Sequence, residues 1–240
     1  MQTKQQMLQT YIDQSRSAVF FGGAGVSTES GLPDFRSSDG IYQMKYPYPP
    51  EQILSHEFFF EHTQEFYQFY REKIALPAIS PNITHIKLAQ MQASGKLSSI
   101  ITQNIDGLHQ AAGSKDVYEL HGSIHRNHCL RCKKAYTLAD VLGQEGVPHC
   151  ECGAIIKPDV VLYGEELEQE TLSGAINAIS HADLLIVGGT SLSVYPAAGL
   201  LHYFQGEHLV LINQTATPMD ARADLCFSCK LGEVFQEILL

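Results

Sequence analysis

Apolar and polar positions along the chain follow two periods. Met7, Leu8, Tyr11 and Ile12 recur at helical spacing in an otherwise polar start, which predicts an amphipathic helix. Short continuous apolar runs then follow at intervals: 18–21 (AVFF), 97–102 (LSSIIT), 117–120 (VYEL), 183–189 (DLLIVGG) and 208–212 (HLVLI). They predict strands, with 18–21 and 183–189, the most apolar, reading as buried. Helical patterns lie between them, over about residues 53–74, 82–93 and 168–179. Strands alternating with helices predict an α/β chain with a doubly wound parallel sheet. The 53–74 stretch carries Phe58, Phe59, Phe60, Phe66, Tyr67, Phe69 and Tyr70. Most of these read as packing, with Tyr67 and Tyr70 as candidates for lining an apolar pocket.

The first apolar run feeds directly into Gly22-Gly23-Ala24-Gly25, followed by Ser27, Thr28 and Ser30. Glycines let bare backbone N–H groups approach a diphosphate, and the start of the next helix offers unpaired donors. The dinucleotide fingerprint is only half complete, because Thr28 stands where its third glycine is expected. Pro33-Asp34-Phe35-Arg36 then adds a rigid turn, a carboxylate, an aromatic face and a guanidinium. In open parallel sheets ligands bind beyond the carboxyl ends of the strands. Asn104 and Asp106, Thr190 and Ser191, and Asn213 all stand at predicted strand ends. His121 stands at another; its ordinary pKa suits a general base, although by position alone it reads equally well as a structural residue. His85, on the predicted 82–93 helix, reads as structural.

Length and composition narrow the class. A chain of 240 residues, 44% hydrophobic, accommodates one large core or a large domain with a smaller insert. A formal charge of −10 argues against a protein whose main task is gripping nucleic-acid backbones. Without an apolar leader or a membrane-length stretch, a soluble cytoplasmic protein is expected, with no membrane partner. Its six cysteines then read as metal ligands or free thiols rather than disulfides. Cys129 and Cys132 precede Cys150 and Cys152 by a 17-residue gap, close to a zinc ribbon apart from the single residue inside the second pair. The four are favoured over the competing Cys226 and Cys229 as ligands of one structural zinc ion.

The segments GAGVSTESGLPDFR, TQNIDGLH, ELHGS, the two early cysteine pairs, KPDVVLYGE, GTSLSVYPA and LVLIN, in this order, resemble the sirtuins, the NAD-dependent protein lysine deacylases. The resemblance spans nearly the whole chain and implies a bacterial-type catalytic core. It implies a Rossmann-like domain of residues 1–38, 82–122 and 155–240, with a smaller domain made of a helical module (39–81) and a zinc module (123–154). NAD, consumed as co-substrate, and an acetylated protein or peptide lysine would meet between the two. By resemblance, Ala24, Gly25, Thr190, Ser191 and Asn213 hold the diphosphate and adenosine side of NAD. Asn104 and Asp106 place the nicotinamide ribose and carboxamide, and Phe35 covers the reacting sugar face. Gly23, Thr28, Asp34, Arg36, Gln103, Ile105, Gly189 and Leu231 complete the cofactor set.

In the same reading, His121 and Asn104 are catalytic, with His121 the base on a ribose hydroxyl. Products are free lysine, nicotinamide and O-acetyl-ADP-ribose. Val161, Tyr163, Gly164, Glu165 and Val194 receive an extended peptide between two backbone edges. Sirtuins that favour acidic acyl groups carry a Tyr-x-x-Arg pair; here Tyr67 matches but Tyr70 occupies the arginine position. Acetyl and other uncharged acyl groups are therefore expected, provided Arg71 does not turn into the site. The alternatives are mono-ADP-ribosyl transfer at the same NAD site, and a non-catalytic NAD-sensing module. The latter predicts a damaged catalytic set, whereas Asn104, Asp106 and His121 are intact.

Overall fold

A computed structural model describes residues 2–35, 40–43, 46–76 and 79–240. Among the described residues nine strands form two sheets. The first runs β1 (Ala18–Gly22), β2 (Ser99–Thr102), β3 (Val117–Glu119), β7 (Leu184–Gly188), β8 (His208–Ile212) and β9 (Leu225–Phe227), all parallel, in the spatial order β3-β2-β1-β7-β8-β9. The second is antiparallel: β5 (Ala135–Thr137), β4 (Gly122–Cys129) and β6 (Ile156–Val160), with β4 central.

Period-two alternation splits each apolar run between two layers. Ala18 and Phe20 of β1 face one core, with Ile100, Ile186, Val210 and Ile212. Val19 and Phe21 face the other, with Ile101, Val187 and Leu211. The helices Lys4–Gln14 and Ile83–Ala93 cover the first face through Leu8, Ile12, Leu88 and Met91. The helix Gln169–His181 and the 3-10 segment Ala197–Tyr203 cover the second. Each fully buried Phe contributes about 2–3 kcal/mol, so β1 with its two rings anchors both layers.

A third core joins the aromatic segment to the small sheet, packing Phe58, Phe59, Phe66, Tyr67 and Tyr70 with Cys129, Val141, Cys150 and Ile156. The helix expected over 53–74 is instead broken into Pro50–Ile53, His56–Glu61, Thr63–Phe69 and a π-helical turn at Tyr70–Ile74. The breaks have local causes: the Ser55 hydroxyl caps the second piece by accepting the Phe58 N–H at 3.2 Å, and His62 leaves helical backbone at φ −131°. Arg71 ties this segment to the metal module, donating to the carbonyls of Val141, Gln144 and Gly146. Among the described residues no helix is long and apolar enough to cross a membrane.

Beneath the first sheet's carboxyl edge lie two buried histidines. Burial lowers His85 to about 4, against the opposing pull of Asp106, and lowers His109 to about 3 with His85 adding to the effect. Both are therefore neutral in the fold but protonate near 6.5 when unfolded, so the unfolded chain binds more protons below that pH. Stability is expected to fall on acidification from pH ~6.5 towards ~4, by up to roughly 1.4 kcal/mol per pH unit for each histidine. Thermal melts between about pH 7 and about pH 5 check this; a flat profile contradicts it.

Candidate active site and metal centre

A cleft of about 520 Å³ opens where β1, β2, β7 and β8 end and the small sheet and aromatic segment face them. Its sheet side is built by two glycine turns pressed together. The Gly25 N–H donates to the Gly189 carbonyl at 2.8 Å, and a Cβ on Gly25 would lie 2.7 Å from the Gly189 Cα. Gly189 has φ +62°, and a Cβ there would stand 2.5 Å from the Val26 nitrogen. Only glycine fits these positions, so the two turns pack backbone against backbone at the cleft floor with no side chain between them. The Thr190 N–H donates to Asn213 Oδ1 at 2.9 Å, and Gln103 Nε2 donates to Thr190 Oγ1 at 3.0 Å. Asn213 Nδ2 is buried with no partner among the described residues, an unpaired donor on a residue that borders the cleft. A floor of side-chain-free backbone, hydroxyls and an orphan amide donor fits a dinucleotide.

The geometry of His121 follows from its neighbour. Its Nδ1 lies 2.9 Å from the Gln103 carbonyl, which can only accept, so Nδ1 carries the proton and Nε2 keeps its lone pair. Burial lowers its pKa below the ordinary 6.5, partly offset by that hydrogen bond, so the ring is a neutral base at pH 7. Its own carbonyl accepts the Val161 N–H at 3.0 Å, joining the base to the segment that forms the opposite wall.

Ser27, noted in the sequence only as following the glycine run, organises the residues after β2. His85 Nδ1 accepts the Asn82 backbone N–H at 3.3 Å, so its proton is on Nε2 and points to Ser27 Oγ at 3.5 Å. Asn104 Nδ2 donates to the same oxygen at 3.1 Å. With both lone pairs addressed, the hydroxyl gives its proton to Asp106 Oδ2 at 2.7 Å. The other Asp106 oxygen accepts the Leu108 N–H at 2.9 Å. His85 is thus more than core filler, although only its distance to Ser27, not its position in the sequence, reveals this. Ser27→Ala is expected to lower kcat/KM roughly ten- to hundredfold, the worth of charge-assisted bonds in a buried network. Steady-state kinetics check it; an unchanged value removes Ser27 from the positioning network.

On the opposite wall, Val161, Tyr163, Gly164, Glu165, Val194 and Tyr195 border the cleft. The Glu165 carboxylate is committed inward, accepting from the Leu162 N–H at 2.9 Å and Lys157 Nζ at 3.1 Å, with His56 Nδ1 at 3.0 Å. Burial raises its pKa, but these three partners outweigh that and hold it below the usual carboxylate range. Its carboxylate is therefore already spent, and only its backbone and stem remain to meet a ligand.

The cleft brings together Gly23, Ala24, Gly25, Thr28, Asp34, Phe35, Gln103, Asn104, Ile105, Asp106, His121, Gly189, Thr190, Ser191, Asn213 and Leu231 as well as Val161, Tyr163, Gly164, Glu165 and Val194. Arg36 lies outside the described residues. Tyr67 departs from expectation: it does not border the cleft but is fully buried, its hydroxyl donating to the Ile156 carbonyl. The reason is helical phase, since Phe66 and Tyr70, four residues apart, share the face that reaches the cleft. Arg71, held by three carbonyls of the metal module, does not border it either.

Away from the cleft, the four early cysteine sulfurs lie within 4.8 Å of one another. Cys129 and Cys152 are 3.4 Å apart at sulfur, and Cys132 and Cys150 3.5 Å. Disulfide sulfurs would be about 2.05 Å apart. Four thiolates around zinc at ~2.3 Å stand ~3.8 Å from one another, so the cluster fits a tetrahedral ion. The one-residue spacing of the second pair is accommodated by a turn ending at Gly153, φ +84°. No cysteine of the four borders the cleft, as befits a structural ion. Cys226 and Cys229 pack against opposite cores of the parallel sheet and so do not converge on a shared ion.

A dinucleotide cradle, a neutral histidine base beside it and a separate four-thiolate module define a zinc-stapled, nucleotide-dependent enzyme. The model of the Sir2 family matches residues 23–196, and the chain belongs to that family. It is 55% identical over 236 residues to the NAD-dependent protein deacetylase of Clostridium acetobutylicum, covering 97% of this chain and 96% of the relative. Among solved structures, a Sir2 with deacetylated p53 peptide and 3′-O-acetyl-ADP-ribose superimposes with a TM-score of 0.91 at 41% identity, over 98% of this chain and 97% of that one. A Sir2 complex with p53 peptide and NAD+ gives 0.88 at 40% identity, over 98% and 96%.

Proposed function

We propose that this chain is an NAD-dependent protein lysine deacetylase, which removes acetyl and other uncharged acyl groups and yields free lysine, nicotinamide and O-acetyl-ADP-ribose. The observation that carries the reading is a neutral His121 base with a free Nε2 bordering the same cleft as the glycine cradle. NAD, when bound, supplies an electrophilic ribose carbon and the hydroxyl that receives the acyl group. The cradle of Gly23, Ala24, Gly25 and Gly189, with Thr190, Ser191 and Asn213, holds its diphosphate and adenosine side. Asn104 and Asp106, oriented through Ser27, fix the nicotinamide side, and Phe35 shields it from water. His121 Nε2 accepts the proton of the ribose hydroxyl, while its Nδ1–H stays on the Gln103 carbonyl and keeps the ring in place.

The peptide lies extended between the Val161–Glu165 edge and Val194, recognised mainly through its backbone, with Val161 offering its carbonyl to the acyl-lysine amide. Zinc, held by Cys129, Cys132, Cys150 and Cys152, supplies no chemistry to the cleft; it fastens the wall against which the peptide lies. In this reading the small domain consists of residues 39–81 and 123–154, and the enzyme acts in the cytoplasm on acetylated proteins without membrane or nucleic-acid partners. The deacetylase relative, the NAD and acetyl-ADP-ribose ligands of the two Sir2 complexes and the intact polar set around His121 disfavour a non-catalytic sensor. Incubation with NAD and an acetyl-lysine peptide, followed by mass spectrometry, tests it. Acetyl loss with stoichiometric nicotinamide and O-acetyl-ADP-ribose is expected; ADP-ribose attached to protein without acetyl loss would reverse the assignment.

A further inference from the structure

Carbonyls of the segment that ends β2 and follows it are held by one stretch of chain, residues 120–125. The Thr102 carbonyl accepts the Leu120 N–H at 2.9 Å, and the Ile105 carbonyl accepts the Ile124 N–H at 3.0 Å. Two more are held by imidazoles: the Gln103 carbonyl by His121 Nδ1 at 2.9 Å, and the Asp106 carbonyl by His125 Nε2 at 2.9 Å. His121 serves as the base, whereas His125 takes no part in acyl transfer. A carbonyl can only accept, so His125 Nε2 carries a proton and donates it.

The loop makes room for this contact. Gly107 has φ +71°, and a Cβ there would stand 2.6 Å from His125 Cδ2 and 2.8 Å from its Nε2, so the imidazole lies against the bare Cα of the residue after Asp106. Asp106 is thereby fixed at three points: one carboxylate oxygen takes the Ser27 proton, the other accepts the Leu108 N–H, and the main-chain carbonyl accepts from His125. The first two bonds hold only the side chain. The peptide plane between Asp106 and Gly107 is flanked by the most permissive residue type, and the His125 bond is what stops it turning.

We propose that His125 is a positioning residue of the cofactor site, which holds the Asp106–Gly107 peptide plane and so keeps the Asp106 carboxylate in place for the nicotinamide side of NAD. This rests on the deacetylase reading above, which puts that side of NAD at Asn104 and Asp106, and it adds to the site a residue of the small sheet. His125 stands on β4, the strand that starts directly after His121 and ends at Cys129. It does not border the cleft, so it acts through Asp106. Its own side chain is exposed, beside the buried Ile124. Removing an exposed imidazole opens no cavity, so the cost falls on the loop's placement rather than on the fold.

The test compares the wild-type protein with His125→Ala and His125→Gln on an acetyl-lysine peptide, with NAD varied and nicotinamide added as the product that refills the pocket it leaves. Glutamine keeps a donor Nε2 and alanine has none. In His125→Ala, kcat/KM for NAD is expected to fall about fivefold and the nicotinamide inhibition constant to rise about fivefold, the worth of one neutral hydrogen bond. The KM for peptide and the melting temperature should not change, and His125→Gln should recover most of the loss. Unchanged NAD and nicotinamide constants in His125→Ala, a glutamine variant as impaired as the alanine one, or equal losses for NAD and peptide with a melting temperature lowered by several degrees overturns the proposal. Failure of the wild type to remove acetyl removes the deacetylase reading. Calorimetric NAD titration then decides this inference alone: about fivefold weaker binding by His125→Ala supports it, and equal affinities overturn it.

Discussion

Replacing His121 with alanine is expected to lower kcat for deacetylation by roughly a hundred- to ten-thousand-fold, the range of a positioned general base, while NAD affinity changes only a few-fold. The split follows from the site. His121 reaches the cleft through Nε2 alone, whereas the dinucleotide cradle is made by Gly25, Gly189, Thr190 and Asn213, whose mutual hydrogen bonds do not involve the imidazole. The pH profile carries the same signature. A base is active when unprotonated, and burial lowers the His121 pKa, so kcat/KM should rise with pH through a midpoint below the ordinary 6.5 and be level at pH ~7–8. Rapid-mix product analysis and calorimetric NAD titration of wild type and His121→Ala check both parts. Full deacetylation by the variant would take His121 out of the reaction.

Removal of the metal should have the second large effect. Cys129 and Cys150 are buried in the core that also holds Phe59, Phe66 and Tyr70, and Cys129 is the last residue of β4, the central strand of the small sheet. Without an ion, four thiolates or thiols are left face to face at the edge of a core that contains few residues of its own. Cys129→Ala is expected to bring bound zinc from about one ion per chain to near zero, and to destabilise the small domain by more than about 4 kcal/mol. Activity should fall with it, because β6 leads directly into residues 161–165, the cleft wall proposed to receive the peptide. Metal analysis together with thermal melts decides this. Zinc retained at full stoichiometry would return attention to Cys226 and Cys229, although their opposite facing in the sheet argues against them.

Much of the parallel sheet was legible because its strands are short apolar runs, and such a run has one stable place, between two covering layers. The 208–212 strand coincides with its apolar run, and the 183–189 run is trimmed to Leu184–Gly188. The polar residues at their ends were legible for a related reason: a parallel sheet collects its strand ends at one edge, so Asn104, Asp106, His121, Thr190 and Asn213 had to converge there. The four cysteines were readable from spacing, since chelation needs four thiolates and little else from the fold.

Three features were decided only in three dimensions. Tyr67 and Tyr70 are both aromatic, both in one helical stretch and both buried in one core, yet helical phase brings only Tyr70 to the cleft border. Arg71 needed a partner loop 70 and more residues away in the chain to hold it off the site. Ser27 and His85 are joined by a contact spanning 58 positions, and the direction of the hydroxyl proton depends on which nitrogen of His85 receives the Asn82 N–H. The sequence by itself determined the layers, the strand-end chemistry and the metal ligands, because burial and spacing are local properties of residue order. Which side chain of a helical stretch faces the ligand, and which way each proton points, belonged to the tertiary structure, because a helix's phase and a hydrogen bond's direction depend on neighbours that only folding brings together.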